Sequence, residues 1–395
     1  MTTKSPVYCD YNAGAPIRAE AAVAMSRALA AGGNASSVHG VGRRMRAMIE
    51  DARERVAAAL DASAENVVFT SGATEALHLA LASAPSAASL IVSAVEHDAV
   101  FEHGVRALMS ERIAPVDGDG IIDLDALADL LGAAPRPALV AVQLANNETG
   151  VIQPIGRVAA LCREHGALLL VDAAQAFGRI PVSIADLDAS YLVVSSHKLG
   201  GPPGAGALVL APGAPFATTR FGGGQERGRR PGTENGAALV GFAAAADWAL
   251  RDLDAEAVRV AALRDRFEAG LPKDAMVFGR TTGFQPATAS AGRLEAGGPR
   301  GRLPNTSNFA LPGLNAETAV IAMDLEGVAV SSGAACSSGK VRTSRVLAAM
   351  GVAPELAKGA LRVSFGHESK ESDVDEALHA LAKIAARRAV KEAAA

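Results

Sequence analysis

The chain has 395 residues, 49% hydrophobic and 20% charged, so it can bury a sizeable core without a disulfide framework. Its 40 Gly and 19 Pro fall well short of a disordered or collagen-like excess. With 38 Lys and Arg against 42 Asp and Glu, the net charge of −4 leaves no global positive field to gather nucleic acid or an anionic membrane, and an anionic ligand needs a local site.

The opening stretch MTTKSPVYCDYN lacks the apolar core of a secretion signal, and no run of roughly 18 apolar residues, the length that crosses a bilayer, is free of charge, Gly or Pro. Cys9, Cys162 and Cys336 are too few and too far apart for a disulfide scaffold or a zinc knuckle, which predicts a reducing, cytoplasmic setting and no metal site. From about Asn66 to Leu210, runs rich in Val, Leu and Ile alternate with amphipathic stretches, at Val67–Thr70, Leu90–Ala94, Ala138–Leu144, Ala167–Asp172, Tyr191–Ser195 and Ala207–Leu210. That alternation predicts an α/β fold with a mostly parallel, helix-covered sheet. The polar segments FTSGATE, SAVEHD, LANNETG, VDAAQ and SSHKLGGPPG follow these runs, and ligands of open α/β sheets sit outside the carboxyl ends of strands, so the segments should converge on one site.

Helical spacing follows Pro231 through Trp248 and returns from Ala255 to Leu271, where a second, smaller α+β unit is expected to begin. The expected division is a large domain over 14–255 and a small one formed by 1–13 and 256–395. Within the latter, the Gly- and Pro-bearing stretch Thr281–Pro304 predicts an exposed loop. NTSNFAL, AETAVIAMDLEG, VAVSS, ALRVSFG and a closing helix near Ser372–Arg388 read as alternating strands and helices, and the KEAAA end as frayed.

Several residues stand where chemistry can use them. Lys198 emerges from the apolar run YLVV into a Gly-rich turn, where a partly desolvated amine suits Schiff-base formation with an aldehyde cofactor; the plainer alternative is a solvated surface charge. Asp172 ends the strand-like ALLLVD, and a buried carboxylate there either caps the next turn or pairs with a cofactor ring nitrogen. TSGATE, a Gly turn opening a helix, offers free N–H groups and the Thr74 hydroxyl to a phosphate, or is simply a capped helix. His97 could stack on a flat cofactor and move protons, or be a structural imidazole. Cys336 lies in the small, polar SSGAACSSGK, where a thiol is reactive unless it is only a surface cysteine; Cys9 and Cys162 read as packing residues. Arg362 alternates with apolar neighbours in ALRVSF and wants a carboxylate, whether a substrate's or an internal one.

FTSGATE, NNETGVIQPI, VDAAQ, SSHK, GGGQERGRRPGTEN, SSGAACSSG and LRVSFG, in this order over nearly the whole chain, resemble the cysteine desulfurases of the NifS/IscS group, fold type I pyridoxal-phosphate enzymes of the class V aminotransferase family. The resemblance implies a seven-stranded large domain and a homodimer using pyridoxal 5'-phosphate. It implies that Lys198 carries the cofactor, Asp172 pairs with the pyridine nitrogen, and Gln175 and Asn147 hold the ring's oxygen side. Ala73, Thr74, Ser195 and His197 would bind the phosphate, with Thr233 contributed by the second subunit. His97 would stack on the ring, and Arg362 with Asn147 would bind the substrate carboxylate. The short SSGAACSSG resembles the group with a mobile loop, about 331–342, which makes Cys336 the acceptor of sulfur from L-cysteine. Alanine and a Cys336 persulfide would result, the sulfur going to an acceptor protein of iron–sulfur cluster assembly. A related enzyme, such as an aminotransferase or selenocysteine lyase, would need no mobile Cys336, and a non-catalytic sulfur carrier would need no Lys198. Three departures stand out: DYNAGAP in place of DYxATTP, extra residues between Gly279 and Asn305, and an end soon after the final helix.

Overall fold

The computed structural model describes residues 6–84, 88–107, 112–279, 301–332 and 344–393. Short strand β1 (Val7–Tyr8) leads into helices α1 (Ala19–Ala31) and α2 (Gly40–Ala59). The central part alternates strands and helices: β2 (Val67–Thr70), α3 (Ala73–Ser83), β3 (Ser89–Ser93), α4 (Asp98–Ala107), β4 (Ile113–Ala114), α5 (Leu124–Ala133), β5 (Ala138–Gln143), α6 (Ile155–Glu164), β6 (Leu168–Asp172), β7 (Tyr191–Ser195) and β8 (Gly206–Leu210). These strands form one seven-stranded sheet in the order β2-β8-β7-β6-β5-β3-β4, parallel except where β8 runs against both neighbours. The predicted strands appear within a residue of their expected bounds, and β4, too short to show a period, is added at the edge.

Side chains alternate across this sheet as the strand period of two requires. Val140, Val142, Val171, Leu192 and Val194 enter a core with α1, α2, α6 and α7 (Gly236–Arg251), while Leu139, Ala141, Leu170, Tyr191 and Val193 enter another with α3 on the opposite face. Burial on both faces explains the near-continuous apolar runs.

After α8 (Leu253–Ala269) come β9 (Met276–Phe278), β10 (Thr306–Ala310), α9 (Ala316–Leu325), β11 (Val328–Ala329), β12 (Ser331–Ser332), α10 (Arg345–Ala349), α11 (Pro354–Ala357), β13 (Ala360–Ser364) and α12 (Glu371–Ala393). A four-stranded sheet ordered β12-β13-β10-β9 packs on α8, α9 and α12 around Phe267, Phe309 and Phe365. Chain-distant β1 pairs in parallel with β11 and brings Cys9 into this core. Two expectations need correction. VAVSS is not one strand but two short ones, β11 and β12, in different sheets. The stretch Gly301–Pro304 is buried rather than exposed, because Arg302 pairs with Glu268, Gly301 accepts from the Ile152 amide and Leu303 donates to Gly150. The KEAAA end is helical through Ala393. Among the described residues no helix is long and apolar enough to cross a membrane.

Candidate active site

Register places the polar strand ends side by side. Asp172 at the end of β6 lies opposite Gln143 of β5 and Val193 of β7, while Thr70 of β2 and Ser195 of β7 both face Gly206 of β8. At about 4.8 Å per strand, the turn after β2 and the turn after β7 open about 10 Å apart on one edge. A Cβ on Gly206 would lie 2.7 Å from the Gly72 Cα, so only glycine lets β8 pass beneath that turn.

The turn after β7 carries Lys198. Its Nζ donates to the carbonyls of Asn12 at 2.6 Å and Ala13 at 3.0 Å. Asn12, buried, gathers the surrounding segments: its side-chain Nδ2 donates to the Asn147 carbonyl at 3.1 Å and to Thr306 Oγ1 at 2.9 Å, and its backbone carbonyl also accepts from Gln175 Nε2 at 3.0 Å. Arg179 donates to the carbonyls of Gln175, Tyr11 and Lys198 and to Gln175 Oε1, with no carboxylate in ion-pair range among the described residues. Burial and the nearby Arg362 charge pull this guanidinium down to about 9.

Asp172 is buried and its Oδ1 accepts from the Ala174 amide at 2.9 Å, the capping bond that the sequence allowed. Burial raises its pKa, while that bond and the charges of His97 and Lys198 oppose the rise. His97 is half-buried at the start of α4, its Nδ1 accepting from the Ala99 amide at 3.1 Å. Behind them Glu96 is buried, with Oε1 accepting from the Gln143 amide at 2.8 Å and Oε2 unpartnered, and desolvation pushes this carboxyl well above its usual range.

Ala73 and Thr74 form the first turn of α3, whose N-cap Gly72 has φ 154° and whose start is capped by no side chain. Ser195 Oγ lies 3.0 Å from His197 Nδ1, and burial together with the Lys198 and Arg179 charges lowers His197 to about 4, leaving a neutral imidazole. Glu75 closes the turn by accepting from Ser71 and pairing with Arg220 and Arg230; burial opposes ionisation, but the bonds from Arg230 and Ser71 bring it down to about 2.

Arg362, buried, pairs with Asp10 at 2.8 Å and donates to the Asn147 carbonyl at 3.0 Å, while its Nε has no partner. The internal ion pair that the sequence left open is therefore present. Next to Asn147, Glu148 accepts from Ser344 Oγ at 2.5 Å, and burial lifts it to about 7 against that bond and the charges of Arg362 and Arg345. Thr233 is exposed, and among the described residues no hydrogen bond ties it to this cluster. Cys336 lies outside the described residues.

An amine, a buried carboxylate, an uncapped helix start and a neutral Ser–His pair on one sheet edge fit pyridoxal phosphate, which has an aldehyde, a ring nitrogen and a phosphate. Asn12, Arg179, Glu96 and Glu148 were not anticipated; the only local signal was Asn12 in the unusual DYNAGAP.

Residues 7–274 match the family Aminotransferase class-V. The chain is 37% identical to cysteine desulfurase IscS of Dictyoglomus turgidum (96% of this chain, 95% of that protein) and 40% identical to a cysteine desulfurase of Cereibacter sphaeroides over the same shares. It superposes on a NifS-like protein from Rickettsia africae with TM-score 0.85 at 28% identity, covering 96% of this chain and 99% of that one. With this fold, donor set and full-length likeness, the chain belongs to the cysteine desulfurases, pyridoxal-phosphate-dependent enzymes of the aminotransferase class-V family.

Proposed function

We propose that this enzyme moves the sulfur of L-cysteine onto Cys336, releases alanine, and hands the sulfur to an acceptor protein of iron–sulfur cluster assembly. The observation that carries the site assignment is Lys198 held on the Asn12 and Ala13 carbonyls, within electrostatic reach of buried Asp172. When bound, pyridoxal phosphate supplies an electron sink for the bond-breaking at the substrate. Lys198 would hold the coenzyme aldehyde, and its amine, once free, would serve as the base for the substrate α-proton. Asp172, whose carboxylate form burial disfavours and the Ala174 amide and the His97 and Lys198 charges favour, would pair with the ring nitrogen and hold its proton. Gln175, oriented by Arg179, and Asn147 would hold the ring oxygen, and Ala73, Thr74, Ser195 and His197 would hold the phosphate. Arg362 receives the substrate carboxylate in competition with Asp10.

The thiolate of Cys336 attacks the substrate sulfur: an S–S bond forms, the Cβ–S bond breaks with its electron pair left on the carbon fragment, and that fragment takes up one proton at Cβ and regains the α-proton to become alanine. His97 would carry the thiol proton. Thr233, exposed in one chain, belongs to the phosphate site of a second copy in a homodimer. The division into a large unit over 14–255 and a small one of 1–13 and 256–395 is supported by β1 joining β11 and by the separate core around Phe309. Free, buried Cys9 and Cys162 are consistent with a reducing cytoplasm.

Purified enzyme given L-cysteine and a thiol reductant should yield alanine and sulfide in equal amounts, and Cys336→Ser should lose both while keeping the coenzyme's visible absorbance. Undiminished sulfide from Cys336→Ser, or keto acid in place of alanine, overturns the reading.

A further inference from the structure

Two consecutive residues at the start of α10, Ser344 and Arg345, are the first described after the stretch that contains Cys336. Both reach back across the chain to the edge of the site. Ser344 donates to Glu148, next to Asn147, and its oxygen also accepts from the Leu347 amide at 3.0 Å, so one hydroxyl fixes the helix start and joins it to the NNETG turn. Arg345 grips the turn after β3. Nη1 donates to the Ala94 carbonyl at 2.7 Å, Nη2 donates to the Glu96 carbonyl at 2.5 Å and pairs with Asp98 at 3.2 Å, and the guanidinium carbon sits 3.5 Å from the Phe101 ring centroid.

Glu96 and Asp98 are the two neighbours of His97, so this one guanidinium holds the backbone before the imidazole and the side chain after it. A charged fork stacked on an aromatic ring and bonded to three oxygens is a stiff clamp. The His97 ring is fixed from its own side as well, because Nδ1 accepts from the Ala99 amide, which leaves Nε2 as the nitrogen able to exchange a proton with the site. The ionisable groups beside that residue are Asp172, within electrostatic reach of it, its sequence neighbours Glu96 and Asp98, and Arg345 itself.

We propose that Arg345 is a positioning residue for sulfur transfer: it sets the direction of the His97 ring and ties it to the helix that follows the Cys336 stretch. This rests on His97 acting as the proton carrier of the proposed function. An arginine that merely stabilised the α10 start would weaken the fold and leave His97 chemistry alone, so the two roles separate in a double-mutant cycle.

The experiment compares wild type, Arg345→Met, Arg345→Lys, His97→Asn and the Arg345→Met/His97→Asn double variant as coenzyme-loaded protein, reading kcat and KM for L-cysteine and persulfide on Cys336. Arg345→Met should lower kcat roughly 10- to 100-fold with KM within about twofold, on the scale of a misaligned acid–base group. On the His97→Asn background it should cost no further factor, and Arg345→Lys should recover part of the loss. Should Arg345→Met fold poorly, Arg345→Lys with and without His97→Asn gives the same cycle on a smaller scale. Losses that multiply in the double variant, or an unchanged kcat in Arg345→Met, overturn the positioning role and leave the proposed function standing. A wild type that puts no persulfide on Cys336, or a His97→Asn that turns over normally, overturns the function assigned to those residues and the positioning role with it.

Discussion

Arg53 is buried and Arg179 half-buried, and their guanidinium charges are neutralised in opposite ways. Arg53, on α2 beneath the far side of the site, forms a two-pronged pair with buried Glu226 at 2.6 and 2.9 Å, a further bond to Glu50 at 3.2 Å, and lies 4.8 Å from the Phe69 centroid. The Phe69 amide completes the Glu226 carboxylate. To reach this position the chain turns left-handed at Glu226 and Arg227, φ 49° and 55°, a strain that persists only because the pair over-determines it. Among the described residues Arg179 donates to carbonyl oxygens only, and its pKa is depressed by burial where that of Arg53, despite burial, is raised by Glu226. The scaffold neutralises a buried charge with a counter-charge; the site solvates its own with fixed dipoles and so keeps positive potential beside Lys198 and His197.

Substitutions sharpen this contrast, and the largest effect falls on the site. Lys198→Ala should abolish the covalently held coenzyme and slow turnover by at least about 10⁴-fold, read by visible absorbance and alanine formation. Arg53→Met leaves Glu226 buried and unpaired and should cost about 3–5 kcal/mol in denaturant unfolding, while Arg53→Met/Glu226→Gln should regain much of it. A double variant no better than the single would show that the loop strain, not the charge, dominates.

Glu148 tests the same idea through pH. Its folded pKa of about 7 lies above the usual 4.5, so the stability gained from its protonated form is complete below pH 4.5 and is lost as pH rises through 7. Glu148→Gln should therefore gain on wild type by pH 8, by on the order of 3 kcal/mol, and not at pH 4.5. A thermal-midpoint difference between the two proteins that is flat with pH would refute this. The smallest effect belongs to Arg179→Met, about 2 kcal/mol, because neutral acceptors rather than a carboxylate are left behind. A loss as large as that of Arg53→Met would break the comparison between the two arginines.

The coenzyme half of the site was legible because its signals are local. Asp172 and Lys198 each end an apolar run, and TSGATE opens a helix, so strand period and turn chemistry alone put three of the four coenzyme contacts on one edge. Asn12 was not legible: its bonds reach Asn147, Thr306 and Ser364, up to 352 residues away, and no window of sequence contains both partners. Arg362 was half legible. Its alternation marked a strand, which is buried along its whole length rather than half-buried, and only the parallel bridge of Asp10 to Ser364 at the end of β13 brings a carboxylate to it.

By itself, then, the sequence determined the alternating α/β order, the double-sided burial of the central strands and the family, since period and ordered motifs are properties of neighbouring residues. Tertiary structure alone decided that the amino-terminal strand pairs with distant β11, that Gly301–Pro304 is buried, and that Arg345 grips both neighbours of His97. Those contacts cost chain entropy that local preference cannot offset, and they form only when the whole core is assembled around them.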